Sequence, residues 1–298
     1  MTATKILLTG SLAYDHLLRY PNKFKATLDK KSRINASFVL DQKLISLGGC
    51  AGNIAYGFTA NGFFDFDLVS VLGEKDKHEY IDCLIDRKIN TDYVSVCENS
   101  FSSCAYISTD VSSDQLTFFI ANQATNPNQK YLSFGEPDEY VLAILAPHNK
   151  NLMMEAYQFV SKHNIPYVFD PGQQIGAFNE KDFLEVLSKA KFFILNRQEF
   201  EYCLDLHGLS QDQVLNMVDY LIITDSEKPV QILSYKHSID KLYHAQMSSK
   251  VVDPTGCGDA FRAGFFSTFV QNKNFDECIK QAMHLAARCL SNKVTQDY

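Results

Sequence analysis

The stretch Val251 to Gly264, VVDPTGCGDAFRAG, concentrates the residue types that can do chemistry. A short apolar strand is expected to end at Asp253-Pro254. Thr255, Gly256, Cys257 and Gly258 follow as a turn of small residues, and a helix is expected from about Asp259. Successive backbone N–H groups at such a turn face inward and bind an anion, and the helix N-terminus adds a partial positive charge. Glycine leaves room for a phosphate that a side chain would block. Asp259 is the odd member of this cradle, because a phosphate site excludes a carboxylate that has no work to do. In phosphoryl transfer to an alcohol, a base accepts the hydroxyl proton while nearby donors hold the migrating charge. Asp259 fits that base, kept ionised by the helix dipole, and Gly256, Cys257 and Gly258 fit the anion hole. An Asp at a helix start is also an ordinary cap. The whole TGCGD turn, not the Asp alone, favours the chemical reading. Other nucleotide motifs are absent: there is no GxxxxGK[ST], GCGDAF lacks the third Gly of a dinucleotide fingerprint, and no HRD or DFG set occurs.

The elements that must hold this turn follow from hydrophobic pattern. Lys5 to Gly10 reads as a buried strand, and residues 33–46 read as strands with one wet face. Ala51 to Ala60 reads as a helix, Asp67 to Leu72 as a strand and 76–88 as an amphipathic helix. Ser103 to Thr109 and Gln115 to Ala121, separated by DVSSD, form a hairpin signal. Beyond it, the apolar runs Val141 to Leu145, Tyr167 to Phe169, Phe192 to Leu195 and Leu221 to Thr224 alternate with helical segments at 149–163, 180–189 and 197–217. Strand–helix alternation implies right-handed crossovers and a mainly parallel sheet covered on both faces. Two helices close the chain, one from near Asp259 and one over 276–291. The stripe Ile279, Met283, Ala286 and Leu290 on the second reads as core packing. The expectation is therefore one α/β domain over residues 1–298, a three-layer α/β/α body with a mainly parallel central sheet. Extra strands from about 20–46 and 93–121 would form a lid at the strand C-terminal ends, where open α/β sheets place ligands.

Composition narrows the classes. Of 298 residues, 46% are hydrophobic and 21% charged, which suits a globular fold rather than a disordered chain. The net charge of −7 argues against nucleic-acid binding as a main role. The 8 Cys are scattered with no CxxC pair, so no zinc site is expected. The N-terminus lacks the pattern of a secretory signal, and no run reaches the ~18 apolar residues of a membrane helix. A cytoplasmic protein with reduced thiols and no membrane partner is the expectation.

DPTGCGDAFRAGF resembles the second signature of the ribokinase-like (PfkB) carbohydrate kinase family, and GGCAGNIAYG, Gly48 to Gly57, resembles its first. Order and spacing also match, and the resemblance covers nearly the whole chain. Within that family the chain is most similar to bacterial adenosine and nucleoside kinases. The carrying residues are GSLAYD (10–15), LGGCAGN (47–53), FDPGQ (169–173), VDPTGCGDAFRAG (252–264) and VTQDY (294–298). The resemblance implies ATP and Mg2+ as cofactors and phosphorylation of adenosine at its 5′-hydroxyl. It implies that Asp15, Gly48, Gly49 and Asn53 hold the ribose, and that Phe101 reaches the base from the lid. Asn196 and Glu199, in NRQE, match the NxxE pattern that organises magnesium through water, and Thr224 matches a residue beside ATP. The family resemblance also allows a monovalent cation such as K+ near Asp253, and either a monomer or a homodimer.

The chain departs from the pattern in places. Thr224 is followed by Asp225-Ser226-Glu227-Lys228-Pro229 where relatives carry two glycines. A His-Pro-Gly segment common near the lid is replaced by Ile120-Ala121-Asn122-Gln123, and Ser11 stands where some adenosine kinases have Asn. Two alternatives stay open at this level: a free-sugar kinase of ribose or fructose type on the same scaffold, and a catalytically silent nucleoside-binding protein. Aromatic residues such as Phe101 and Tyr106 at the ligand would favour a purine over a free sugar.

Overall fold

The computed structural model describes residues 3–28, 36–112, 114–121, 129–226, 228–244, 254–272, 274–292 and 294–298. Six expected apolar runs become strands of a large sheet, β1 (Lys5–Thr9), β4 (Phe66–Gly73), β8 (Tyr140–Leu145), β9 (Tyr167–Phe169), β10 (Phe192–Asn196) and β11 (Tyr220–Asp225), and β5 (Val94–Cys97), β12 (Lys228–Ser234) and β13 (Ile239–Tyr243), not expected there, complete it. Their order across the sheet is β13-β12-β11-β10-β9-β8-β1-β4-β5. All pairings from β11 to β5 are parallel, and β12 and β13 add an antiparallel edge. Every residue of β4 is buried, as a strand covered on both faces requires.

Two helical layers do the covering. On one face lie α2 (Cys50–Ala60), α3 (Lys77–Asp86), α8 (Cys257–Asn272) and α9 (Phe275–Leu290), packed around Ile6, Leu8, Phe58, Phe192 and Phe265. On the other lie α4 (Lys150–Lys162), α5 (Glu180–Leu187), α6 (Arg197–His207) and α7 (Gln211–Met217), around Leu7, Phe169, Phe183 and Phe193. Alternate residues of β1 thus feed opposite cores, which is the period-two geometry of a strand. This is the expected three-layer α/β/α body.

A second sheet joins β2 (Ala13–Arg19), β3 (Gln42–Gly48), β6 (Ser103–Thr109) and β7 (Gln115–Ile120) in the order β3-β2-β6-β7. Its membership differs from the sequence reading in two ways. Ala13–Arg19 is a strand of this sheet, because the chain turns at Gly10–Leu12 and pairs at once with both β3 and β6. Val94–Cys97 instead extends the large sheet beside β4, where its apolar residues find a parallel partner. Residues 36–41 are not a strand, and 29–35 lie outside the described residues. A short helix, α1 (Phe24–Leu28), precedes them. The strand expected at Val251 to Asp253 also lies outside the described residues, as do Asn122 and Gln123.

The direction of strand addition reverses at β1. The sheet grows one way through β4 and β5, and the other way through β8, β9, β10 and β11. The loops leaving β1 and β8 therefore diverge, and a crevice is expected between them.

Candidate active site

The crevice is present, and the C-terminal ends of the strands line it. Ser11 after β1, Pro147 after β8, Gln173 after β9 and Asn196 at the end of β10 all face open space. Two cavities meet here, of about 510 and 540 Å³. Gly256 and Asp259 line both, together with Cys50, Pro147 and Gln173. Asp259 sits in the first turn of α8 and belongs to the lining of both cavities.

The first cavity is roofed by one face of the smaller sheet. Ala13 and Asp15 on β2, Ser103, Ala105 and Ile107 on β6, and Gln115, Thr117 and Phe119 on β7 alternate along their strands to present that face. Asp15 is buried with its carboxylate against the backbone of Gly48. A Cβ at Gly48 would lie 2.1 Å from Asp15 Oδ2, so glycine there makes room for the acid. Gly49 has φ +83°, and its Cβ would lie 2.6 Å from both Ala13 N and Ser11 O. That close approach lets α2 start against the end of β1. The Cys50 and Ala51 N–H groups donate to Ser11 Oγ at 3.2 Å and Ser11 O at 3.1 Å. One turn further, Asn53 Nδ2 donates to Asp259 Oδ2 at 2.8 Å. Asn53 therefore joins the expected sugar-binding turn to the expected base. His148 and Asn149 form part of the far wall. Burial pushes His148 down to about 4, so the imidazole is neutral at physiological pH.

The second cavity lies on the other side of Asp259. Asn196, Glu199 and Thr224 line it with Asp225, Ser226 and Lys228. Asn196 and Glu199 form a reciprocal capping box at the start of α6: Glu199 N donates to Asn196 Oδ1 at 2.8 Å, and Asn196 N donates to Glu199 Oε2 at 2.9 Å. The box holds the Glu199 carboxyl toward the cavity, where burial raises its pKa. Ser226 takes φ +40°, so the β11–β12 turn reaches the left-handed region without a glycine. Glu227 lies outside the described residues. The opposite wall is apolar, with Met283, Ala286, Ala287 and Leu290 of α9. The stripe read as core packing is so in part: Ile279 lies in the core with Cys278, Ala282, Leu285 and Cys289, and Met283 and Ala286 pack against it, while Met283, Ala286 and Leu290 also line this cavity.

Electrostatics centre on α8. Arg262, one turn after Asp259, is buried and forms a bidentate ion pair with Asp170, which follows β9. Its Nη1 also donates to Gly258 O at 3.0 Å. Burial raises the Asp259 pKa to about 6, while Arg262 and the Asn53 hydrogen bond pull it down and Asp170 and Glu199 push it up. Burial, not the helix dipole, dominates its titration, contrary to the sequence expectation. The carboxyl is still mainly ionised at neutral pH. The Cys50 thiol is pushed well above its usual range, by burial first and by Asp259 second, and stays protonated.

Most sequence-derived site residues converge here, and Phe101 does not. It is 61% exposed, with Lys75 over its ring at 5.1 Å, and lines neither cavity. Tyr106 stacks on His16 on the far face of the smaller sheet. The aromatic wall is Phe119 instead, because alternation along β7 points it inward. Gly48 acts behind Asp15 rather than on the cavity surface. Asp253, near the expected monovalent cation, lies outside the described residues. Sequence reasoning gave no role to Arg262, Asp170, Gln173 or Gln296, although FRAG, FDPGQ and VTQDY marked all of them.

A family model described as pfkB family carbohydrate kinase matches residues 12–297. A curated nucleoside kinase of Methanocaldococcus jannaschii is 27% identical over 285 residues, covering 92% of this chain and 86% of the relative. Among solved structures, Burkholderia thailandensis nucleoside kinase in complex with inosine superposes with TM-score 0.85 at 27% identity, covering 98% of this chain and 93% of that one. The same enzyme in complex with ADP-inosine gives 0.82 over 98% of this chain and 91% of that one. The structure of the M. jannaschii nucleoside kinase, an archaeal member of the ribokinase family, gives 0.85 at 26% identity, over 99% and 94% of the two chains.

Proposed function

This chain belongs to the pfkB family of carbohydrate kinases, phosphotransferases that act on a hydroxyl group, and from that premise we propose that it phosphorylates the 5′-hydroxyl of a purine nucleoside, adenosine first, using ATP. The observation that carries this reading is the position of Asp259 and Gly256 on the shared floor of two cavities. A donor and an acceptor that approach from opposite sides meet at that floor, as in-line transfer requires.

The nucleoside belongs in the first cavity. Asp15 beside Gly48 and Gly49 suits a pair of ribose hydroxyls, since a carboxylate accepts from both. A cavity of about 510 Å³ with Ile107, Phe119 and Ile120 in its wall has apolar surface that a free sugar would leave uncovered. Inosine, held by the Burkholderia relative, is the second substrate to test. ATP belongs in the second cavity, with its base against Met283, Ala286 and Leu290 and its phosphates toward Gly256–Gly258. Thr224, Asp225 and Ser226 line that cavity despite the missing glycines, which favours a working nucleotide site over a silent one. Among the described residues no cluster of three His, Cys, Asp or Glu could hold a metal. Magnesium would arrive on the phosphates, with Glu199 facing them, and would neutralise their charge.

Asp259 accepts the proton of the attacking hydroxyl, and Asn53 steadies one of its oxygens. The first-turn N–H groups of α8 and Arg262 supply positive potential for the migrating phosphoryl group. The smaller sheet keeps water from the same floor.

The test measures ADP release with adenosine, inosine, other nucleosides, ribose and fructose, with Asp259→Asn alongside. Purine nucleosides are expected to exceed free sugars by orders of magnitude in kcat/KM. Asp259→Asn is expected to bind both ligands and lose several powers of ten in kcat. Ribose or fructose as the preferred substrate would overturn the nucleoside reading, and a near-normal rate in the variant would overturn the role of Asp259.

A further inference from the structure

Gln296, the third-last residue of the sequence, lines neither cavity, yet it is buried behind the wall of the site. We propose that Gln296 is a positioning residue for Asp259, acting through Asn53, with its own orientation set by Arg87. The inference rests on the reading of Asp259 as the base.

The polarity of the chain of contacts follows from which groups can donate. A guanidinium donates and never accepts. Arg87, at the end of α3, therefore fixes the Gln296 amide oxygen toward itself: Nη1 donates to Oε1 at 2.5 Å, and Nη2 donates to the Gln296 backbone carbonyl at 2.8 Å. That leaves the Gln296 amide nitrogen facing inward, where it donates to Asn53 Oδ1 at 3.0 Å. It also donates to the Tyr80 hydroxyl at 3.1 Å, whose own proton goes to Gly48 O at 2.6 Å. With its oxygen engaged, Asn53 has only N–H to offer Asp259. The Asp259 Oδ2 is thus held by a donor, and Oδ1 is left to the substrate hydroxyl. With the Asn53 amide reversed, a carbonyl would face the carboxylate and disfavour its ionised form.

The chain of contacts is fastened at its outer end. The Arg87 guanidinium lies 4.6 Å over the Tyr56 ring, and the Tyr56 hydroxyl accepts from Tyr298 N and donates to Tyr298 O, both at 2.8 Å. Thr295 Oγ1 donates to Leu47 O at 3.2 Å, next to the Gly48–Gly49 turn. The tail is therefore built into the site rather than laid over it. Other charged or titratable groups facing Asp259 are Arg262 on its own helix, Cys50 on α2, Asp170 after β9, Glu199 on α6 and Tyr298 in the tail.

The experiment is the pH profile of kcat/KM, whose acid limb reports the base in the free enzyme. Gln296→Glu keeps the shape and the Arg87 contact but puts an acceptor where Asn53 needs a donor. Its acid limb is expected to move up by about one pH unit, with roughly tenfold lower kcat/KM on that limb. Gln296→Met, uncharged, should move it the same way by less. The added charge of Glu is separated from the amide effect in an Asn53→Ala background. There the further Gln296→Glu change should move the limb by well under half as much, the remainder being the charge alone. A shift that persists at full size without Asn53 overturns the proposal, and so does an unmoved limb in both single variants. Substantial activity in Asp259→Asn would instead remove the base assignment itself. An inert Asp259→Asn with unmoved limbs in the Gln296 variants removes only the positioning role.

Discussion

Asp259 titrates under opposing pulls, and their balance makes two measurable statements. Burial outweighs Arg262 and Asn53 and leaves the pKa at about 6. With Asp259 as the proposed base, ionised in the free enzyme, kcat/KM is expected to fall with unit slope below about pH 6 and to be flat above it. The stability consequence runs the opposite way. A carboxyl whose folded pKa lies above its unfolded one stabilises the fold fully below the unfolded value, and that contribution is lost as pH rises through about 6. A rise of roughly two units corresponds to at most about 3 kcal/mol, and the partial exposure of Asp259 reduces this to about 1–2. Asp259→Asn is therefore expected to melt higher than the parent at pH 8 by a few degrees, with the gap closing near pH 4. Melting curves at both pH values check it, and equal Tm at pH 8 would contradict the strained ionised base. This residue was legible in the sequence because a carboxylate stands out in a glycine turn whose backbone suits a phosphate. Its pKa was not legible, because Asp170, Asn53 and Glu199 reach it from the loop after β9, from α2 and from α6.

At the scale of elements, the site is made where helices α2 and α8 begin. Gly49 and Gly256 both have left-handed φ values, +83° and +77°. At Gly256 a Cβ would also lie 2.7 Å from Thr295 Cγ2 in the tail. Gly256→Ala is expected to cost about 1–3 kcal/mol of stability through backbone strain and that collision. It should also lower kcat by about a hundredfold, since the donors of the turn lose their aim. Denaturant titration together with steady-state kinetics checks both, and parental values for the two would show the turn to be tolerant. The glycines were visible as types in the sequence. Their reason is partly different from the one expected: at Gly256 the tail, and at Gly258 the Arg262 guanidinium, already occupy the space a side chain would take.

For the molecule as a whole, the consequence lies in how the two sheets meet. The large sheet is held by helical cores on both faces, whereas β7 is an edge strand of the smaller sheet with Phe118, Phe119 and Ile120 exposed. Its backbone hydrogen bonds should open more readily than those of β8 or β10. A nucleoside beneath it would cover Phe119 and add contacts to β6. Saturating nucleoside is expected to slow amide exchange across β6 and β7 several-fold while β8 and β10 stay unchanged. Hydrogen-exchange mass spectrometry reads this directly, and unaltered β7 exchange at saturation would mean that the smaller sheet does not close over the substrate.

Local pattern alone determined the α/β body and the turn that bears Asp259. Strand and helix periodicity, glycine placement and capping residues act within a few positions of one another, so they can be read along the chain. What only the tertiary structure decided is which side chains share a cavity. It put Phe119 rather than Phe101 in the wall, moved Ala13–Arg19 into the smaller sheet, turned Met283 and Leu290 toward the second cavity, and brought Gln296 within reach of Asn53, 243 positions earlier. Those outcomes depend on strand register and on the packing of elements distant in sequence, where a step of one residue turns a side chain to the opposite face.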